Sequence, residues 1–287
     1  QNPGESETHK QLIKTKSRLI EGLSILVYSA SSCITQPIAM EIFNEVYSAL
    51  NFTGKDRDTL LPFAEKAFTR LAGVMREAIV PYMQTIVPVV IERAMMKAEI
   101  TLNEHDEKLD DDWLTTNYCG LNFAIKTSLL EEKSDAVATL DLFIDDLGAL
   151  MFPFFQSLEP LFELVTFVLD ETVRMKATSL IETMFKTLLQ HFRTTSPQTA
   201  IAQVKSTPTW QKGFPLLVRS IAKEIDTEVA RHKMNTLESM VKQLGPNALT
   251  VEEMTLVLEM FKAIITSFTA GQKNKEHDLV NNLTDEE

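Results

Sequence analysis

The side chains able to do covalent or metal chemistry are scattered. His9, His105, His191, His232 and His277 stand far apart. None has a second ligand three or four residues on, the spacing that lets one helix face share a metal. Cys33 and Cys119 form no metal-type pair and sit in no nucleophile motif. No Walker loop or dinucleotide fingerprint occurs. The residues therefore predict no enzyme, no metal and no bound cofactor. Carboxylates, by contrast, do cluster. Glu104, Asp106, Glu107, Asp110, Asp111 and Asp112 run up to Trp113 with Lys108 as the one cation among them. Carboxylates pair with lysine, and a Trp face can hold a cation or a lysine stem, so Asp110, Asp111, Asp112 and Trp113 are candidates for binding a basic partner. The alternative is a solubilising loop whose Trp tucks into the core. A second set, Gln156, Glu159, Glu163 and Thr166, recurs at steps of three and four opposite Phe155, Leu158, Phe162 and Val165. It is either a solvated helix face or a surface that reads a partner.

Positioning such residues falls to helices. Val173, Ala177, Leu180, Ile181, Met184, Phe185 and Leu188 share one helical face, and so do Met234, Leu237, Met240, Val241 and Leu244 before Gly245-Pro246. Thr250 reads as an N-cap, with Glu252 and Glu253 favoured by the helix dipole. No run alternates strictly between turn residues, so no strand is predicted. The helices pair as 8–31 with 36–51, 54–78 with 80–100, 129–149 with 152–169, 171–193 with 209–225, and 227–244 with 250–273. Leu169-Asp170-Glu171-Thr172-Val173-Arg174 is echoed by Ile225-Asp226-Thr227-Glu228-Val229-Ala230-Arg231. In each, the Asp can cap the next helix, the Val can pack between layers, and the Arg can reach an Asp of a neighbouring repeat. This resembles the HEAT repeat. The predicted fold is all-α, an α-solenoid of about five HEAT repeats forming a right-handed superhelix of antiparallel helix pairs. The repeats are placed at 8–51, 54–100, 129–169, 171–225 and 227–273, with an acidic insert at 101–128 that is expected to be mobile between about Leu102 and Asn117. A short extra helix is expected between Thr194 and Thr209.

Composition fits this reading. Among 287 residues there are only 9 glycines, too few for a hairpin-rich β fold. Forty Asp and Glu face 28 Lys and Arg, a net charge of −12, which disfavours nucleic acid and anionic membranes and favours a basic partner. Two cysteines fit a reducing compartment. The apolar window Ala149–Leu169 is interrupted by Pro153, Gln156, Glu159, Pro160 and Glu163, so no membrane helix is expected. The chain starts on Gln1 and stops in an acidic run, which reads as a fragment of a longer protein. Its terminal apolar faces, near Leu12–Leu26 and Leu256–Phe268, are then expected to be exposed.

Asp110-Asp111-Asp112-Trp113, followed by Ala124-Ile125-Lys126-Thr127-Ser128-Leu129-Leu130-Glu131-Glu132-Lys133-Ser134, resembles the importin-β (karyopherin-β) superfamily, in its importin beta three or importin five branch. The order of other blocks agrees: Lys16 to Leu26, then Tyr82 to Ile100, then the joint Val168 to Ala177. The resemblance runs from about Leu12 to Asp285 and implies a nuclear transport receptor shuttling between cytoplasm and nucleus. Such receptors bind cargo proteins carrying basic nuclear localisation signals, cross the pore through Phe-Gly nucleoporins, and release cargo when Ran-GTP binds, mainly to repeats outside this chain. In a HEAT solenoid the second helices line the concave side, so the resemblance directs Gln156, Glu159 and Glu163 toward cargo. A HEAT scaffold subunit without a transport role is the other reading.

Overall fold

The computed structural model describes residues 3–102, 112–118 and 121–284. The chain divides into two compact units, Gln1–Leu161 and Phe162–Glu287. In the first, α1 (Pro3–Ser29), α2 (Gln36–Tyr47), α3 (Gly54–Met75) and α4 (Val80–Ala94) precede a small sheet, and α5 (Thr127–Leu147) follows it. α1 packs on α3 and α3 on α5, so the first helices of successive pairs form a row. Each second helix also packs on the first helix of the next pair, α2 on α3 and α4 on α5. Sequence period explains the row. Ile13, Ile20 and Val27, seven residues apart, are buried on α1. On α3, Ala64, Ala67 and Ala72 are buried beside Leu60, Phe68 and Leu71, small residues that admit close neighbours and large ones that fill the gaps. Phe43 of α2 meets Tyr82 of α4 at 4.7 Å and Phe68 of α3 at 5.9 Å between ring centroids, tying these helices together.

By length and composition alone Gly54–Ala94 passes for a membrane-crossing helix, as buried core helices also do. It is not one helix, however. The backbone turns at Arg76, φ 48°, and the 3-10 turn Arg76–Ile79 separates α3 from α4. Leu60, Leu71, Met83, Ile86 and Val87 are buried within the protein.

The insert contains a three-stranded antiparallel sheet, β1 (Ile100–Leu102), β2 (Trp113–Tyr118) and β3 (Leu121–Lys126), in the order β1-β3-β2. Ile100 lies opposite Ile125, and Trp113 opposite Lys126. This overturns the expectation that no strand exists. Trp113, Thr115, Thr116, Tyr118, Phe123 and Ile125 favour strands. Alternation hides the sheet because it has no clean wet and dry face. The neighbours Ala124 and Ile125 are both buried, while Ile100, Leu102 and Leu114 are exposed. Glu104 to Asp111, the heart of the expected mobile loop, lie outside the described residues.

The expected α-helix at 152–169 is largely 3-10: Gly148–Phe154, then one α turn, α6 (Phe155–Leu158), then Glu159–Thr166. Pro153 and Pro160 each lack an amide donor, which weakens a continuous α ladder. The residues suit a three-per-turn period, since Phe155, Leu158, Leu161 and Leu164 are all buried.

The second unit holds α7 (Glu171–Thr195), α8 (Ala200–Ser206), a π-helical turn Thr209–Gly213, α9 (Phe214–Ile221), α10 (Thr227–Leu244) and α11 (Val251–Thr284). α7 packs on α10, and α9 on α10 and α11. α8 is the short extra helix anticipated between Thr194 and Thr209. The caps are local and legible. The Asp170 carboxylate accepts the Val173 N–H at 2.7 Å, and that of Asp226 accepts the N–H groups of Glu228 and Val229 at 2.9 Å. The Thr250 N–H donates to the Glu253 carboxylate at 2.7 Å while the Glu253 N–H donates back to the Thr250 hydroxyl at 3.3 Å, a capping box. Gly245 ends α10 at φ 90°, a conformation side-chain-bearing residues avoid.

Candidate functional site

Asp112 and Trp113 are the members of the acidic cluster that the structure describes; Asp110 and Asp111 lie outside the described residues. The Asp112 carboxylate accepts the Ser128 N–H at 3.0 Å and the Ser128 hydroxyl at 2.8 Å. The Asp112 carbonyl accepts from the Thr127 amide at 2.8 Å and the Thr127 hydroxyl at 3.0 Å. α5 has no cap from its own N-cap side chain, Lys126, so Asp112, 16 positions before Ser128, supplies one. The Ser128 hydroxyl bond, then the Ser128 amide and Lys126, hold the Asp112 carboxyl below its usual pKa range, against a smaller desolvation effect. Trp113 is half-buried on β2 with Lys126 across the strand pair. Asp112 thus anchors the insert to the helix it precedes.

Of the polar stripe, Gln156 is exposed on α6, and Glu159 is half-buried at the start of the following 3-10 segment. Glu163 and Thr166 are exposed further along, and the Thr166 hydroxyl donates to the Glu163 carbonyl at 2.9 Å. A three-residue period brings Glu163 and Thr166 into register, as it does Gln156 and Glu159. It does not align all four as an α-helix would.

Arg174, from the first copy of the Asp–Val–Arg motif, joins a buried ion cluster in the second unit. Val173 and Val229 are fully buried. Arg174 reaches back to the Phe167 carbonyl at 2.9 Å, and its Nε lies 3.1 Å from Glu224. The carboxylate it meets belongs to Glu, where an Asp was expected. Lys233 pairs with Glu224 at 2.7 Å and donates to the Val165 carbonyl at 2.8 Å. Arg231 does not join. It follows Val229 by two residues, where Arg174 follows Val173 by one, and that extra 100° turns it to solvent, paired with Glu228 of its own helix. Burial works against the Glu224 charge, but Lys233, the Asp226 amide and Arg174 outweigh it and hold the pKa low. Burial pushes the Lys233 ammonium down, with Glu224 opposing.

A second buried cluster was not visible in the sequence. Arg93 of α4 grips Glu65 of α3 and, at 2.9 Å, Glu132 of α5. These residues are 28 and 39 positions apart, beyond any local pattern. Burial raises the Glu65 pKa to about 7, against the pull of Arg93. Burial also disfavours the Arg93 charge, but the two carboxylates more than offset this and raise its pKa. Nearby, the Lys133 ammonium donates to the Ala94 carbonyl, the last residue of α4. Glu131 stays exposed, while Glu132 is part of the core cluster.

The π turn opens a cavity of about 550 Å³ between α9 and the first turns of α11. Trp210 is 3% exposed and stacks on Phe214 at 4.4 Å. Its indole N–H donates to Glu253 at 2.6 Å, and Lys205 pairs with the same carboxylate. Among the described residues no group of His, Cys, Asp and Glu could hold a metal.

No protein-family model matches the chain. Over 269 residues it is 20% identical to importin subunit beta-3 of Saccharomyces cerevisiae, a match covering 92% of this chain and 24% of that protein. It is 24% identical over 188 residues to a probable importin-5 homolog of Dictyostelium discoideum, covering 65% of this chain and 16% of the relative. The chain thus spans no more than about a quarter of the length of these relatives. Among solved structures it superposes on Kap121p bound to Nup53p with a TM-score of 0.66 at 18% identity, covering 93% of this chain and 26% of that one. Kap121p bound to RanGTP gives the same TM-score and covers 93% of this chain and 27% of that one. The chain therefore resembles importins of the beta-3 and importin-5 kind and has the helical solenoid fold of Kap121p.

Proposed function

We propose that this chain is a helical-repeat segment of a nuclear transport receptor that binds basic, signal-bearing cargo and shuttles between cytoplasm and nucleus. The observation that carries this reading is similarity to importin subunit beta-3 along nearly the whole chain, joined to the same fold as Kap121p in complexes titled with Nup53p and RanGTP. We place its repeats at 8–51, 54–100, 129–169, 171–225 and 227–273, with Gln156, Glu159 and Glu163 as the cargo-facing residues and the 101–128 insert, including Asp110 to Trp113, as a second basic-partner surface. Asp112 then serves mainly to hold that insert on α5. Phe-Gly nucleoporins and Ran-GTP are partners of the whole receptor. The net charge of −12 supports a lysine-rich ligand.

The deciding experiment uses the receptor that contains this segment. Immobilised cargo bearing a lysine-rich signal is incubated with it, with and without Ran-GTP. Transport predicts capture that is lost on adding Ran-GTP. Capture that persists unchanged would favour a scaffold that holds partners without transporting them.

A further inference from the structure

The two most exposed large apolar side chains among the described residues are Ile225, 95% exposed, and Val168, 84% exposed. Each sits in a short joint that leads into a helix, Val168 before α7 and Ile225 before α10. One exposed aliphatic on a loop needs no explanation. These two rim the same cavity, of about 260 Å³, inside the second unit.

The charge of that cavity is opposite to the charge of the chain. Arg174, Lys223 and Lys233 line it against Glu224, in a protein of net charge −12. Arg174 and Lys233 have side chains 10% and 1% exposed, and both pair with Glu224. One carboxylate cannot neutralise two buried cations. The Arg174 Nε, although 3.1 Å from Glu224, makes no hydrogen bond. The carboxylates that cap the same joints, Asp170 and Asp226, are taken up by helix amides. Lys223 is exposed and, among the described residues, has no ion-pair partner. An anion entering here would therefore meet an excess of positive charge in a partly desolvated site. The volume is below the about 300 Å³ at which small-molecule pockets begin, so it suits one side chain better than a cofactor. A free inorganic anion would leave Val168 and Ile225 in water, whereas a peptide covers them as well.

We propose that this cavity receives an acidic side chain from an extended segment of a partner protein, with aliphatic residues two positions to either side covering Val168 and Ile225. Alternate side chains of an extended chain point the same way, so the acid and both aliphatics face the surface together. This partner is opposite in charge to the basic cargo and uses other residues, so the two readings stand or fall separately.

Methyl NMR of the whole chain, labelled at isoleucine and valine, tests this with the peptide acetyl-Leu-Ser-Glu-Ser-Leu-amide. Val168→Ala and Ile225→Ala assign the two signals by their loss. In the wild type both should shift and saturate, with a Kd of about 0.1–1 mM. The Gln analogue of the peptide should bind about tenfold more weakly, because it loses a charge-assisted contact. Lys223→Glu should weaken the Glu peptide by about tenfold or more for the same reason. Lys242→Glu makes the same charge change at an exposed site in the last turn of α10, outside the cavity lining. It should alter affinity by no more than about twofold. Absence of saturable shifts at Val168 and Ile225 overturns the proposal, and so does equal affinity for the Glu and Gln peptides. Equal losses in the two lysine variants would reduce the effect to net charge and overturn it too. Inorganic phosphate binding as tightly as the Glu peptide would make this a small-anion site and overturn the peptide reading.

Discussion

Glu65 is 2% exposed and meets the Arg93 guanidinium, yet its Oε1 atom has no hydrogen-bond partner. Its pKa, raised to about 7 by burial, makes folding depend on pH with a definite sign. The unfolded carboxyl titrates near its ordinary value, so between about pH 5 and pH 7 the folded chain keeps a proton that the unfolded chain has lost. Stability is then fully present below the unfolded pKa and falls as pH rises through the folded one, by on the order of 3 kcal/mol at most. Urea midpoints measured from about pH 5 to pH 8 should decline in the wild type and flatten in Glu65→Gln. Parallel slopes in the two proteins would show that Glu65 is not the titrating group. Lys233 and Glu224 behave differently, because their side chains are 1% and 5% exposed and satisfy one another. Glu224→Ala strands a buried ammonium with only the Val165 carbonyl to receive it, and also deprives Arg174 of its carboxylate. We expect a loss of about 3–5 kcal/mol by chemical denaturation. A cost below about 1 kcal/mol would mean that water reaches the cluster. The Arg93 cluster could not be read from spacing, since it joins residues of three separate helices. The Asp–Val–Arg echo foretold that Arg174 reaches a carboxylate, but not that Glu224 and Lys233 supply the rest.

The helices themselves were largely legible, because what starts and stops them is written within a few residues. Asp170, Asp226 and Thr250 cap the helices they precede, and Gly245 ends α10. Asp226→Ala removes an acceptor shared by two amides and should cost about 1–2 kcal/mol, with Asp226→Ser recovering most of it. Arg231→Ala, on the exposed side of the same helix, should shift the urea midpoint by no more than about 0.5 kcal/mol equivalent. If Asp226→Ala proves as mild as Arg231→Ala, the cap contributes nothing. What escaped the sequence reading was either non-local or a departure from the α period. The β1–β3 pairing joins Ile100 to Ile125 across the whole insert, and Asp112 caps a helix that starts 15 residues later at Thr127. In 148–166 the apolar residues satisfy steps of both three and four. Pro153 and Pro160 tip the backbone toward three. For the candidate surface, the alignment of Gln156, Glu159, Glu163 and Thr166 assumed a continuous α-helix that is not there.

At the scale of the whole molecule, 40 acidic against 28 basic residues set a negative field that any basic partner feels before it touches a particular side chain. The difficulty is to separate that general attraction from a specific surface. Affinity for a lysine-rich signal peptide should fall steeply as salt rises from about 50 to 300 mM, since the Debye length shrinks across that range. Salt alone cannot distinguish the two causes, but charge reversal at matched sites can. Glu159→Lys with Glu163→Lys should weaken binding by more than about tenfold, roughly 1.4 kcal/mol, with helicity kept because Lys forms helix as readily as Glu. The matched control needs two exposed carboxylates without a structural role. Glu132 is unsuitable because it pairs with the buried Arg93, so Glu41→Lys with Glu131→Lys serves, both positions being exposed. Isothermal titration of each double variant with the same peptide then decides. A large loss confined to the Glu159–Glu163 pair locates the surface. Equal losses in both would reduce the effect to net charge, and no loss in either would place cargo recognition in repeats beyond this chain.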